Sequence, residues 1–162
     1  VFSALLCAGT FACGGDDGKP ADTAAVRPPV AARAAAPGDP SCPRNGVWQP
    51  CALVDRLVHA GLSFRPTGDS ARVKFLPVPG VRYRVAMTDT MLAFYFADSL
   101  ALAKALSTLD TVRVAPVNDT TLPWQAKPVV IRSGNLLALY FATSPRQIER
   151  IKLAITAGAP SP

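Results

Sequence analysis

The side chains able to do chemistry in this sequence are few and fall into three groups. Cys42 and Cys51 bracket Pro43-Arg-Asn-Gly-Val-Trp-Gln-Pro50. Two cysteines at that spacing, with no histidine near enough to complete a metal shell, suit a disulfide, and a disulfide suits a chain that has left the cytoplasm. Such a bridge would pin the first helix and bury Trp48 against it; two free thiols are the alternative. Arg72, Lys74, Arg82 and Arg84 alternate along two strand-like stretches, Arg72 to Leu76 and Val81 to Met87, joined by Pro77-Val-Pro-Gly80. The strand period of two puts Val73, Phe75, Val81, Tyr83 and Val85 on one face and the four cations on the other. A solvated face is the plain reading; a site for an anion or a lipid headgroup is the sharper one. Finally, Tyr95 and Tyr140 hold matched positions in a repeated segment, where they can form a binding face or merely the rim of a core.

Catalytic patterns are missing. There is no glycine-rich phosphate loop, no Gly-x-Ser-x-Gly, no histidine pair at metal spacing and no credible pair of acids, so no catalytic residue, metal or cofactor is assigned. His59, the lone histidine, sits near a helix end and reads as solvent-facing or capping. Asp89, Asp98, Asp110 and Asp119 fall at turns or caps, where Asp is favoured for backbone reasons alone.

The elements that must position these groups are organised by a nine-residue repeat. Met91-Leu-Ala-Phe-Tyr-Phe-Ala-Asp-Ser99 and Leu136-Leu-Ala-Leu-Tyr-Phe-Ala-Thr-Ser144 match at six of nine positions. Each copy follows a strand and a turn and leads into a helix, which predicts two strand-turn-strand-helix units in one α+β domain. Both copies are apolar on both faces and should be the central strands of an antiparallel sheet. The larger set, Leu92, Phe94 and Phe96 with Leu137, Leu139 and Phe141, is expected to meet the helices, which pack mainly on one face. The Ala and Tyr set is then a shallow, partly exposed surface. An additional N-terminal helix runs from Pro50 to Ala60, with Leu53, Val54, Leu57 and Val58 as its apolar face and Gly61 as its stop. Arg65 to Ser70 reads as a turn, Ser99 to Leu109 as a helix, Thr111 to Ala115 as a strand, and Pro116 to Pro128 as a loop carrying Trp124. The last helix starts at Pro145 behind Ser144-Pro-Arg-Gln147, a capping-box pattern, and buries Ile148, Ile151 and Ile155.

The first 45 residues follow other rules. Residues 1–13 are an apolar run too short to span a bilayer and of the length of an export-signal core. It carries no initiator Met and no basic segment, so it reads as the truncated end of a signal peptide. Its end, Thr10-Phe-Ala-Cys13, resembles the lipobox of bacterial lipoproteins: small Ala12 precedes Cys13, while Thr10 and Phe11 depart from the usual pattern. Ala4-Leu-Leu-Cys7 is a rival that lacks the small residue, and an ordinary cleaved signal peptide is the alternative. The resemblance implies lipidation of Cys13 and membrane attachment through several acyl chains, each buried methylene contributing ~0.8 kcal/mol. With Gly14 rather than Asp after that Cys, the resemblance to Gram-negative lipoproteins implies the outer rather than the inner membrane, with the domain facing the periplasm. Residues 14–45, rich in Ala and Pro, cannot bury a core and read as a disordered tether. The domain itself is placed at 46–157, with a disordered tail at 158–162.

The stretch from about Cys51 to Ile155 also resembles a small domain of uncharacterised bacterial lipoproteins. The helix ending Ala60-Gly-Leu62, Phe94-Tyr-Phe96 before a helix, Leu122-Pro-Trp124 with Pro128, and Gly134-Asn-Leu-Leu-Ala-Leu-Tyr140 carry the likeness. It implies location and fold and transfers no activity. The formal net charge is +6, and between Gly46 and Thr156 thirteen basic residues face seven acidic ones, which favours anionic partners. The sequence therefore points to a lipid-anchored envelope protein with a non-enzymatic binding domain, whose partner is an envelope protein or an anionic ligand and not nucleic acid. An enzyme or enzyme accessory with dispersed site residues, and a structural spacer or assembly subunit, are the alternatives.

Overall fold

The computed structural model describes residues 42–119 and 124–161; Cys7, Cys13 and most of the tether lie outside them. Five strands form one antiparallel sheet in the order β1-β2-β3-β7-β6: β1 (Phe64–Ala71), β2 (Gly80–Val85), β3 (Asp89–Tyr95), β6 (Val129–Ser133) and β7 (Leu136–Phe141). A two-stranded ladder, β4 (Leu109–Asp110) with β5 (Ala115–Pro116), lies between the two halves of the chain. Three helices complete the α+β fold: α1 (Pro50–His59), α2 (Ser99–Leu106) and α3 (Pro145–Thr156).

The two copies of the repeat are β3 and β7, and they pair with each other at the centre of the sheet. Ala93 lies opposite Ala138, the same position of the repeat, so a local two-fold relation runs between the strands. Both flanks of this pair are apolar, and each needs a cover. On the face carrying Met91, Ala93, Ala138 and Tyr140, the cover is α1 and α3 with Trp48; Leu53, Leu57, Ile151 and Ile155 are buried there. On the face carrying Leu92, Phe94, Leu137 and Leu139, the cover is α2, through Leu102, with Leu76, Leu109 and Val114. The expected assignment of faces is thus reversed for two of the three helices. Small Ala93 and Ala138 leave room for two helices to settle closely, whereas the bulkier Leu and Phe side chains are met by one short helix and by loops.

Local chemistry sets the element ends. Gly61, at φ +72°, closes α1: its N–H donates to the Val58 carbonyl at 2.8 Å, and that of Leu62 to Leu57 at 3.1 Å. These are the two bonds of a Schellman stop, which needs a left-handed residue between them. Asp98 caps α2, its Oδ1 accepting from Ala101 N–H at 2.7 Å. At α3, Pro145 opens the helix as expected, but the Ser144 hydroxyl makes no capping bond, so the capping box is not formed. Gly80 lies opposite Phe94, and a Cβ there would stand 2.6 Å from that ring, so the aromatic fills the space a side chain would need. The helix read to Leu109 ends at Leu106, and of the strand read over Thr111–Ala115 only Ala115 is strand, in β5, residues 111–114 being the turn between β4 and β5. That turn holds Val114 at φ +54°, an unusual value for a β-branched residue, with its N–H bonded to Asp110 O at 2.7 Å.

Two connections tie the N-terminal segment down. The Cys42–Cys51 disulfide forms, and Trp48 is buried beside α1. Asn135, in the two-residue turn between β6 and β7, is buried and fully engaged. Its Oδ1 accepts from Trp48 N–H at 2.7 Å, and its Nδ2 donates to Trp48 O at 3.1 Å and to Phe96 O at 2.9 Å.

Candidate functional site

The four basic residues do not share one hairpin. Pro66-Thr-Gly-Asp69 reads as a turn by its residue types, yet it lies within β1, where the register with β2 shifts between Pro66 and Ser70. An edge strand tolerates proline and a bulge, and both discourage pairing with another chain. The chain leaves the sheet after Ala71, so Arg72 and Lys74 fall in the following loop. There they line an open groove of about 300 Å³ with Leu76, Pro77, Val78 and Pro79.

Arg82 and Arg84 do alternate along β2, opposite in direction to buried Tyr83 and Val85. Register brings a third cation that the turn-like residues concealed: Arg65 lies directly opposite Arg84. The next residue in that row is Thr90 on β3, and Arg82 lies beside Leu92. This face is therefore divided, with arginines over β1 and β2 and apolar packing over β3, β7 and β6. All three arginines are exposed, and among the described residues no ion pair or hydrogen bond engages their guanidinium groups. Like charges directly opposed on neighbouring strands destabilise a sheet. Guanidinium groups carry positive charge on planar, multiple donors, the chemistry that carboxylates and phosphates accept.

The tyrosine surface is a correction. Tyr140 is buried beneath the helices, and Tyr95 is part-buried against the same cluster, so they do not present an open face. The Tyr83 and Tyr95 hydroxyls share a hydrogen bond of 2.9 Å, and Phe64 stacks on Tyr83 with ring centroids 4.5 Å apart. Tyr140 Oη donates to Asp89 Oδ2 at 2.8 Å. Burial pushes Tyr83 up to about 12, opposed by its bond to Tyr95. Burial also raises Tyr95 well above the ordinary tyrosine range, reinforced by the charge and bond of Tyr83. Tyr140 is raised by burial and then by its bond to the Asp89 carboxylate. These phenols stay protonated at neutral pH and serve as polar pins within a core.

Other candidates place themselves plainly. His59 is exposed, its Nδ1 2.8 Å from Asp55 O and 3.1 Å from Asp55 Oδ1 on its own helix. Among the described residues no three His, Cys, Asp or Glu side chains group as a metal site, and no helix is long and apolar enough to cross a membrane. A void of about 10 Å³ among Phe75, Leu106, Val114 and Leu137 is apolar and too small for a ligand. Trp124 packs over the Leu and Phe face, its Nε1 donating to Val114 O at 2.9 Å. Comparison with family models, with curated proteins and with solved structures returned no match.

Proposed function

We propose that this chain is a lipid-anchored bacterial envelope protein, attached through Cys13, whose domain is a non-enzymatic module that binds an anionic ligand or envelope component on its arginine face. The observation that carries the reading is the unneutralised row Arg65–Arg84 with Arg82 beside it. An anion accepted by both opposed guanidiniums would relieve their repulsion, so binding and relief of strain coincide. The basic balance of the domain supports the same ligand sign. The lipobox-like end of the apolar run and the Cys42–Cys51 disulfide support export.

The test is capture from solubilised bacterial envelope by the full chain, comparing it with an Arg82→Glu, Arg84→Glu variant and analysing bound proteins and lipids by mass. A saturable anionic partner that the variant fails to retain is the expected result. Equal capture by both proteins would remove the arginine face from the function. Cys13→Ser should release the chain from membranes to the soluble fraction, and continued acylation of that variant would move the anchor to Cys7.

A further inference from the structure

The β2–β3 connection, residues 86–88, carries the most exposed of the large apolar side chains among the described residues: Met87, at 89%. The tip is held rather than loose. Ala86 stands at φ +52°, and its N–H donates to Ser63 O at 2.8 Å, tying the turn to the chain entering β1. The opposed Arg84 and Arg65 lie on the strands behind this tip. Arg84 is three residues from Met87, so at a rise of at most about 3.4 Å per residue the two are no more than roughly 10 Å apart, within the depth over which interfacial segments bury in a bilayer. Arg82 follows two residues further back, and long arginine stems allow the charges to reach toward a surface. The acidic group beside the tip is turned away from this role: Asp89, paired with Val85 and so on the face opposite Arg84, accepts from Tyr140 and Thr88, while Asp69, bonded to Thr67, lies toward the far end of β1.

We infer that the β2–β3 hairpin is a membrane-docking tip, with Met87 entering the acyl boundary of an anionic bilayer while Arg65 and Arg84 hold lipid phosphates. The inference rests on the arginine face being an anion-binding surface and adds the source of the anion. A free phosphate compound would engage the arginines and leave Met87 in water; a bilayer engages both.

The experiment uses the full chain with Cys7 and Cys13 changed to Ser, so that no acyl chain contributes, and with the disulfide oxidised. Met87→Cys carries an environment-sensitive fluorophore, and Leu153→Cys, exposed on α3 over the other face of the sheet, carries the same label as control. Vesicles of mixed phosphatidylglycerol and phosphatidylcholine are expected to shift the label at 87 to the blue and to quench it through lipids spin-labelled near the headgroup, leaving the label at 153 unchanged. Phosphatidylcholine alone should do neither. Met87→Asp should weaken vesicle partition roughly tenfold. Arg65→Gln and Arg84→Gln should each weaken it about fivefold. Vesicle binding with a water-exposed label at 87 overturns insertion and leaves the anion-binding reading standing. Binding to heparin without binding to vesicles overturns the membrane as source. Binding to neither overturns both.

Discussion

Reversing the charge of Arg84 should strengthen the fold while weakening the proposed anion binding. Arg84 and Arg65 are direct cross-strand partners, both exposed, so their Cβ atoms lie about 5 Å apart, and the Coulomb term is worked for guanidiniums roughly 6–8 Å apart. At the dielectric constant of water that repulsion is about 0.5–0.7 kcal/mol, before screening. Arg84→Glu turns it into an attraction of similar size, for a net gain of roughly 1.0–1.4 kcal/mol unscreened and about 0.5–1 kcal/mol at 0.1 M salt, where the screening length is about 10 Å. Urea unfolding gives the measurement. The midpoint should rise with an unchanged slope, and the gain should vanish near 1 M salt, where the screening length falls to about 3 Å. Adding Arg65→Glu should cancel the gain, because two carboxylates then face each other. Anionic-vesicle binding should fall in the single variant despite its greater stability. A loss of stability at both salt concentrations would refute the reasoning: Arg84 would then be making favourable native contacts, and the basic row would be a feature of the sheet's construction.

Two further outcomes follow from buried groups. Tyr83, Tyr95 and Tyr140 all hold their protons more tightly folded than unfolded, so their contribution is complete below pH 10 and is lost as pH rises from there toward the folded values. Each tyrosine should lower stability by about 1.4 kcal/mol per pH unit in that window. Tyrosinate absorbance from these three should therefore appear cooperatively with loss of circular dichroism; smooth ionisation near pH 10 with native dichroism intact would contradict it. Asn135→Ala should cost about 2–5 kcal/mol in chemical denaturation, since it strands the Trp48 N–H and the Trp48 and Phe96 carbonyls in a buried setting. A loss under about 1 kcal/mol would mean that water replaces the amide.

Much of the fold was legible locally. The repeat located β3 and β7 as central strands, Pro50 and Gly61 framed α1, and the spacing of Ile151 and Ile155 marked the buried stripe of α3. Such features act within a turn or a strand's own pleat, so their residue types suffice. The strand β1 was hidden because Pro66, Gly68 and Asp69 are turn formers, and only pairing with β2 makes them a bulge in an edge strand. Arg65 was missed for the same reason. Its membership of the arginine row depends on register, which is a relation between two segments. Asn135 could have been suspected only as a turn residue, since its three side-chain bonds go to Trp48 and Phe96, far away in sequence.

The sequence by itself determined the α+β class, the disulfide pair, the apolar double-faced strands and the alternation that exposes Arg82 and Arg84. Tertiary structure decided which face each helix covers, that Tyr140 is sealed beneath α1 and α3, and that Arg72 and Lys74 part from Arg82 and Arg84. The division has one physical cause. Period, capping and turn preference are energies of near neighbours, whereas the side of a sheet that is buried is chosen by the shape and area of whatever packs on it. Two faces of comparable hydrophobicity leave that choice to small Ala93 and Ala138, whose lack of bulk matters only when the helices arrive.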